Sequence, residues 1–498
     1  MQTNILEYLE NTAKRLPHKL AFSNGKEGMS FGEVIRGAAA IGSFIASRKI
    51  YREPVVIFMD KHPRTVTAFF GVIYAGCYYV CIDEKMPDAR ILAILENLKP
   101  RLMISDKKNL KRAESFASDV LDVVNYDDAA ACEVDEALLC AIRQKQIDTD
   151  ALYVVFTSGS TGVPKGVVAC HRSVIDYTEH LCEALGFSED TVFGNQTPLY
   201  FDAPLKEIMP TLKYGATTYF VPKVCFSFPV KLIEYLNQYK INTVCWVVSA
   251  FVQVSSLGAL EKFKPEYLTT VAFGSEVFPK KQYDIWREAL PDAVFYNLYG
   301  PTEATGMSCY WRADRELTEN EPIPVGVPFK NTRITLIDEN GKETDEGEIC
   351  IGGTCLTMGY YNNPEKTGEV FVQNPTNTAF PELVYRTGDI GRYNEHGELV
   401  FVCRRDSQIK HMGHRIELGE IESAAMKNDD VSRAVCLYDA ENKRILLFYT
   451  GNVAEESLRA YIAEFLPKYM MPTQIKNLPA FPLTDNGKVD RRGLIANY

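Results

Sequence analysis

The sequence predicts an α/β protein: doubly covered, largely parallel sheets over most of the chain, then a small β-rich subdomain and a small α+β C-terminal unit. Three observations carry this. Strand-length apolar runs alternate with amphipathic helical stretches through most of the chain. From about Asn331 the texture changes to short alternating strands punctuated by turns, and beyond about Arg405 strands and helices mix again.

The strand-like runs of the first part are residues 54–59, 79–82, 102–104, 152–156 and 218–221. Residues 67–82 read as a buried helix passing into a buried strand, with Gly76 at the turn. The run is shorter than the ~20 apolar residues a spanning helix needs, so no membrane segment is expected. In the β-rich part, residues 334–337 form a strand followed by the turn Asp338-Glu-Asn-Gly341. The C-terminal unit reads as a hairpin-like stretch to Ile416, a helix over 419–427, strands at 433–437 and 445–449, and a helix over 455–465. The domains are therefore expected at 1–404, with the β-rich subdomain at about 331–404, and at 405–498.

A chain of 498 residues, 46% hydrophobic and 24% charged, needs more than one domain. Its net charge of -11 and the absence of a basic stripe argue against a nucleic-acid binder. The 13 cysteines are scattered, with no CxxC pair, and read as reduced, mostly buried thiols of a cytoplasmic protein. Glu7, Glu10, Lys14, Arg15 and Lys19 interrupt any secretory h-region.

Chemistry first appears in Phe156-Thr-Ser-Gly-Ser-Thr-Gly-Val-Pro-Lys-Gly166, which follows a strand. Small residues let several backbone N–H groups converge on an anion, the hydroxyls of Thr157, Ser158, Ser160 and Thr161 add donors, and Lys165 adds a point charge. This is a polyphosphate cradle. It lacks the GxxxxGK[ST] spacing of a Walker A loop.

The loop resembles the signature of the adenylate-forming superfamily, which includes amino-acid adenylation domains of non-ribosomal peptide synthetases, acyl-CoA synthetases and luciferases. Further motifs match in the family's order: residues 74–83, Phe201-Asp-Ala203, Asn297-Leu-Tyr-Gly-Pro-Thr-Glu-Ala304, Gly347-Glu-Ile-Cys-Ile-Gly-Gly353, Tyr385-Arg-Thr-Gly-Asp389, residues 404–410 and Asn486-Gly-Lys-Val-Asp490. The resemblance implies a large N-terminal domain containing two doubly covered sheets and a mobile C-terminal domain. It also implies an ATP- and Mg²⁺-dependent ligase that joins a carboxylic acid to AMP and then passes it to a thiol.

By the same resemblance, Lys488 is the catalytic lysine and Glu303 the Mg²⁺ ligand. Thr302 contacts phosphate, Tyr299 stacks on adenine and Asn297 reads its edge, with Gly274 and Gly300 also among the nucleotide-binding residues. Asp389 takes the ribose hydroxyls, and Arg404 contacts ribose and phosphate. Asp406 is the hinge, although Cys403 stands where glycine is usual. Lys410 and residues 413–415 serve the thiol step.

Asp202 resembles the aspartate that holds the α-ammonium in amino-acid-activating members; its residue-level alternative is a helix N-cap before Pro204. Lys206, four positions on, reads either as an i,i+4 ion pair or as a group reaching an anionic side chain of the substrate. The pocket walls inferred by alignment are Ala203, Trp246, Val271, Phe273, Leu298, Gly306 and Met307; bulky Trp246 and Phe273 favour a small side chain instead. Stand-alone D-alanine–carrier protein ligases are a similar type, and chirality stays open. Ten residues follow Lys488, so the thiol is expected in trans, on a phosphopantetheinylated carrier protein before coenzyme A. An acyl- or aryl-CoA synthetase is the alternative.

Overall fold

A computed structural model of the chain describes residues 2–159, 164–318, 321–482 and 489–497. They divide into two compact units. One comprises Met1–Glu84, Lys99–Val155 and Gly166–Arg405; the other comprises Lys85–Leu98, Phe156–Lys165 and Asp406–Tyr498.

The first unit is organised by a nine-stranded sheet with the order Val327–Pro328, Cys309–Arg312, Val294–Tyr299, Thr270–Gly274, Thr243–Val247, Val192–Asn195, Thr217–Phe220, Leu20–Ser23, Gly28–Ser30. Its interior pairings are parallel and both margins are antiparallel. A six-stranded sheet runs Asp122–Asn125, Leu102–Ser105, Pro54–Phe58, Tyr78–Cys81, Ala151–Thr157, Lys165–Cys170. Strands covered on both faces have no solvent side, which explains near-continuous apolar runs such as the wholly buried Pro54–Phe58. The helix Pro63–Tyr74 passes through Gly76, at φ +69°, into the strand Tyr78–Cys81, as the glycine punctuation predicts.

Side chains of the nine-stranded sheet alternate between two cores. Cys245, Ala272, Tyr296 and Leu298 join the first with Leu205, Ile208 and Met209, whereas Trp246, Val271, Phe273 and Phe295 join the second with Phe251 and Phe278. A third sheet contains Thr332–Ile337, Glu346–Gly353, Phe371–Gln373, Leu383–Tyr393 and Leu399–Arg404, all antiparallel.

In the second unit the strands Gln408–His411 and His414–Glu417 pair through Met412 and Gly413, both at positive φ, as a hairpin needs. The helices Leu418–Met426 and Glu455–Ile462 cover a sheet of Val431–Asp439, Arg444–Gly451 and Gln474–Asn477. The last of these helices ends three residues before the sequence reading placed it, and its terminal turn dissolves ahead of Pro467. Among the described residues no helix is long and apolar enough to cross a membrane, and the 13 cysteines are unpaired.

Candidate active site

Three polar constellations in the first unit are built around Asp389, Glu303 and Asp202, and they bring Tyr299, Arg404, Thr302, Lys206 and Gly306 to these carboxylates. Asp389 lies in a turn, Thr387 to Asp389, that interrupts the pairing of Leu383–Tyr393 with Glu346–Gly353. The residue is only 5% exposed, and its carboxylate is held from both sides. Tyr299 Oη donates to Oδ2 at 2.6 Å and Arg404 Nη1 donates to Oδ1 at 2.6 Å. Burial first, and then the neighbouring carboxylate, push the Tyr299 hydroxyl far above its ordinary pKa, so it remains a donor. Asn297, two residues before Tyr299 on the same face of the strand Val294–Tyr299, spends its amide N–H on Pro324 O at 2.8 Å, leaving its carbonyl for another partner.

Glu303 sits in the short 3-10 turn after Gly300 and Pro301 and is fully buried. Tyr360 Oη donates to its Oε1 at 2.7 Å, and Thr357 ties down its backbone carbonyl through its N–H and Oγ1. Among the described residues no cluster of three or more His, Cys, Asp or Glu side chains could cage a metal. One hard carboxylate oxygen instead suits Mg²⁺, an ion that takes its remaining ligands from water and phosphate.

Asp202 precedes the helix Leu205–Tyr214. The N-cap of that helix is Pro204, so the capping alternative for Asp202 does not hold; Leu205 N–H bonds the Asp202 carbonyl at 3.0 Å instead. The freed carboxylate accepts a hydrogen bond from Thr302, the residue expected on phosphate. Burial raises the Asp202 pKa, with Thr302 and Lys206 pulling it back. A Cβ built on Gly306, at φ +91°, would lie 3.7 Å from Asp202 Oδ2, so Gly306 is at this carboxylate. Lys206 is 4% exposed and feels Asp202, Glu207 and Cys245 electrostatically.

The predicted walls divide. Leu298 and Met307 share the core of the helix that follows Asp202, whereas Trp246, Val271 and Phe273 pack on the other sheet face. Trp246 Nε1 donates to Gly194 O at 2.5 Å, so its ring is fixed by the protein itself. Gly274 is required by packing: a Cβ there would meet Leu298 O at 2.4 Å.

The described part of the glycine-rich loop, up to Lys165, belongs to the second unit. Ser158 Oγ donates to Arg415 O at 2.9 Å, Gly159 N–H donates to Glu420 Oε2 at 3.2 Å, and Lys165 Nζ lies 3.6 Å from Glu417. Arg90 forms a buried ion pair with the same Glu420. Ser160, Thr161 and Lys488 lie outside the described residues.

Sequence reasoning passed over Tyr360, Glu348 and Glu420. Tyr360 and Glu303 are 57 positions apart, beyond any local spacing rule. Glu348 stood inside a quoted motif without a role.

The family model of AMP-binding enzymes matches residues 9–361, and that of their C-terminal domain matches 420–488. The chain belongs to the AMP-binding enzyme family. It is 30% identical to the L-proline--[L-prolyl-carrier protein] ligase of Streptomyces coelicolor, over 94% of this chain and 92% of that protein. It is also 30% identical to gramicidin S synthase 2 of Brevibacillus brevis, over 99% of this chain but 11% of the synthase's length. Among AMP-binding folds of known structure, the Vibrio cholerae adenylation domain AlmE in complex with glycyl-adenosine-5'-phosphate superposes with a TM-score of 0.86. That pair is 18% identical, with 100% of this chain and 98% of the other covered, and shares the fold.

Proposed function

We propose that this AMP-binding enzyme activates an amino acid: its carboxylate attacks the α-phosphorus of ATP, the bond to pyrophosphate breaks, and the aminoacyl-AMP then yields its acyl group to the phosphopantetheine thiol of a carrier protein in trans, releasing AMP. Asp202 carries the reading. A partly buried carboxylate with a raised pKa gains most from a cationic ligand, and an α-ammonium supplies one. Fatty and aryl acids offer no such group, which disfavours the acyl- or aryl-CoA synthetase alternative. The carrier-protein ligase similarity points the same way.

Several groups have assigned tasks in this reading. Asp389 accepts the ribose hydroxyls with Arg404 beside it, and Tyr299, Gly300, Gly274 and Asn297 surround adenine. Ala203, Gly306, Leu298 and Met307 border the amino acid. Thr157, Ser158, Ser160, Thr161 and Lys165 bind the polyphosphate, and Lys488 neutralises the two anions that meet in adenylation. Glu303 would hold Mg²⁺, which when bound supplies charge neutralisation on the phosphates. Asp406 serves as the hinge of a C-terminal domain at 405–498, and Lys410 with residues 413–415 serves the thiol step. Scattered, unpaired thiols suit the cytoplasm.

For the side chain of the amino acid we favour an anion. Lys206 is a nearly buried cation with no ion pair within 4 Å among the described residues, and Trp246 and Phe273, which argued for a small substrate, belong to the opposite core. A pyrophosphate-exchange panel of D- and L-amino acids tests both statements. Turnover with aspartate or glutamate, abolished in Lys488→Ala and weakened about a hundredfold or more in Asp202→Ala, is the expected result. Turnover only with acids lacking an amino group, indifferent to Asp202, would overturn the reading.

A further inference from the structure

Glu348 belongs to the motif Gly347-Glu-Ile-Cys-Ile-Gly-Gly353, to which the reading above gives no task. Its side chain is nearly sealed, with a relative exposure of 4% for the residue. It stands where strand pairing breaks: Glu348 faces Ile390 and Cys350 faces Arg386, so the single residue Ile349 opposes Thr387, Gly388 and Asp389. Bulges of this sort re-aim a side chain, and the one re-aimed here is Asp389.

Glu348 holds that bulge shut. Its Oε1 accepts the Gly388 N–H at 3.0 Å, and Gly388 sits at φ +73°, a conformation other residues resist. Its Oε2 accepts Arg386 Nε at 3.1 Å and lies 3.2 Å from Arg405 Nη1. The rest of the bulge is tied around it: Thr387 Oγ1 donates to Ile349 O at 2.8 Å and accepts the Asp389 N–H at 3.0 Å. Arg405 is fastened twice, since its N–H also donates to Gly388 O at 2.9 Å. Arg405 is the last residue of the first unit before Asp406.

We propose that Glu348 is a positioning residue that clamps the Asp389 bulge for nucleotide ribose and fastens the same bulge to Arg405, where the chain leaves the first unit. This rests on the reading of Asp389 as the ribose carboxylate. The contacts of Glu348 are with Gly388, Arg386 and Arg405 rather than with Asp202, so its loss is expected to act on nucleotide and leave the amino acid alone. A merely structural residue would move both.

The test compares wild type, Glu348→Gln, which keeps an acceptor for Gly388 but loses the charge, and Glu348→Ala, which loses both. Calorimetry with AMP alone, KM for ATP and for the amino acid in pyrophosphate exchange, and hydrogen exchange at Gly388 and Arg405 are the readouts. In Glu348→Gln, AMP affinity and KM for ATP are expected to worsen about tenfold, with faster exchange at both amides. The amino-acid KM is expected to stay within about twofold. Glu348→Ala should exceed this; should it fail to fold, Glu348→Gln decides. Wild-type AMP affinity in the variant, or an equal rise in both KM values, overturns the inference alone. Wild-type protein that binds no AMP overturns the ribose reading and the inference with it.

Discussion

Asp202, in the role proposed for it, would be both a cost to the fold and a tool. Because burial raises its pKa, it takes up a proton at a higher pH than an ordinary carboxylate, and only its ionised form can hold an ammonium. The amino-acid KM is therefore expected to rise on acidification, and to do so before ATP affinity, when pyrophosphate exchange is followed as a function of pH. A second buried carboxylate lies one residue beyond Lys206. Burial pushes Glu207 up to about 8 and Lys61 down to about 7, and Asn195 Nδ2 donates to Glu207 at 3.3 Å. A raised carboxylate pKa contributes stability that is complete below its ordinary 4.5 and lost as pH climbs through about 8. Glu207→Gln removes that loss. Its melting temperature relative to wild type is expected to climb by several degrees between about pH 5 and pH 9; a pH-independent offset would refute the assignment. Asp389, Glu303 and Asp202 could be singled out as candidates because motifs fix their neighbours in sequence. Tyr360 on Glu303 and Lys61 beside Glu207 were not, because only the folded chain brings them together. The packing of Trp246 and Phe273 in the second core was not legible either, because strand alternation decides which face a side chain takes.

At the scale of elements, strand cores were the most readable, since a strand covered on both faces must be apolar throughout. Termini were less so. Asp202 read as a cap because Asp and Pro are favoured at helix starts, but Pro204 occupies the cap itself and the helix begins at Leu205. Lys206 nevertheless senses Asp202, because the turn closed by Leu205 N–H brings the helix start back beside it. Close approach between neighbouring strands is a constraint that sequence hides. Gly274 pairs with Leu298, and a Cβ at 2.4 Å from a backbone oxygen cannot be relieved by a rotamer change. Gly274→Ala is expected to destabilise by about 1–3 kcal/mol or more, read as a lowered denaturation midpoint, with nucleotide affinity falling as Leu298 and Tyr299 shift.

The molecule as a whole interleaves two units along one chain, which no local pattern announces. Arg90 falls within the first hundred residues, yet it belongs to the unit that also contains 406–498 and is buried there against Glu420. Breaking a buried ion pair leaves an unpaired charge, at a cost of about 3–5 kcal/mol. In Arg90→Ala, hydrogen exchange is therefore expected to accelerate in the helix Leu418–Met426, with strands such as Val294–Tyr299 unaffected; acceleration confined to the first unit would contradict the division. The nine-stranded sheet has a quieter consequence. It ends on one side in Gly28–Ser30, three residues long, and on the other in Val327–Pro328, two residues of which one has no N–H to offer. Long parallel sheets with open margins invite strands from other molecules, and margins that are very short, or that contain a proline, are poor templates for them. The two margins of this wide sheet thereby offer little backbone for a strand of another molecule to pair with.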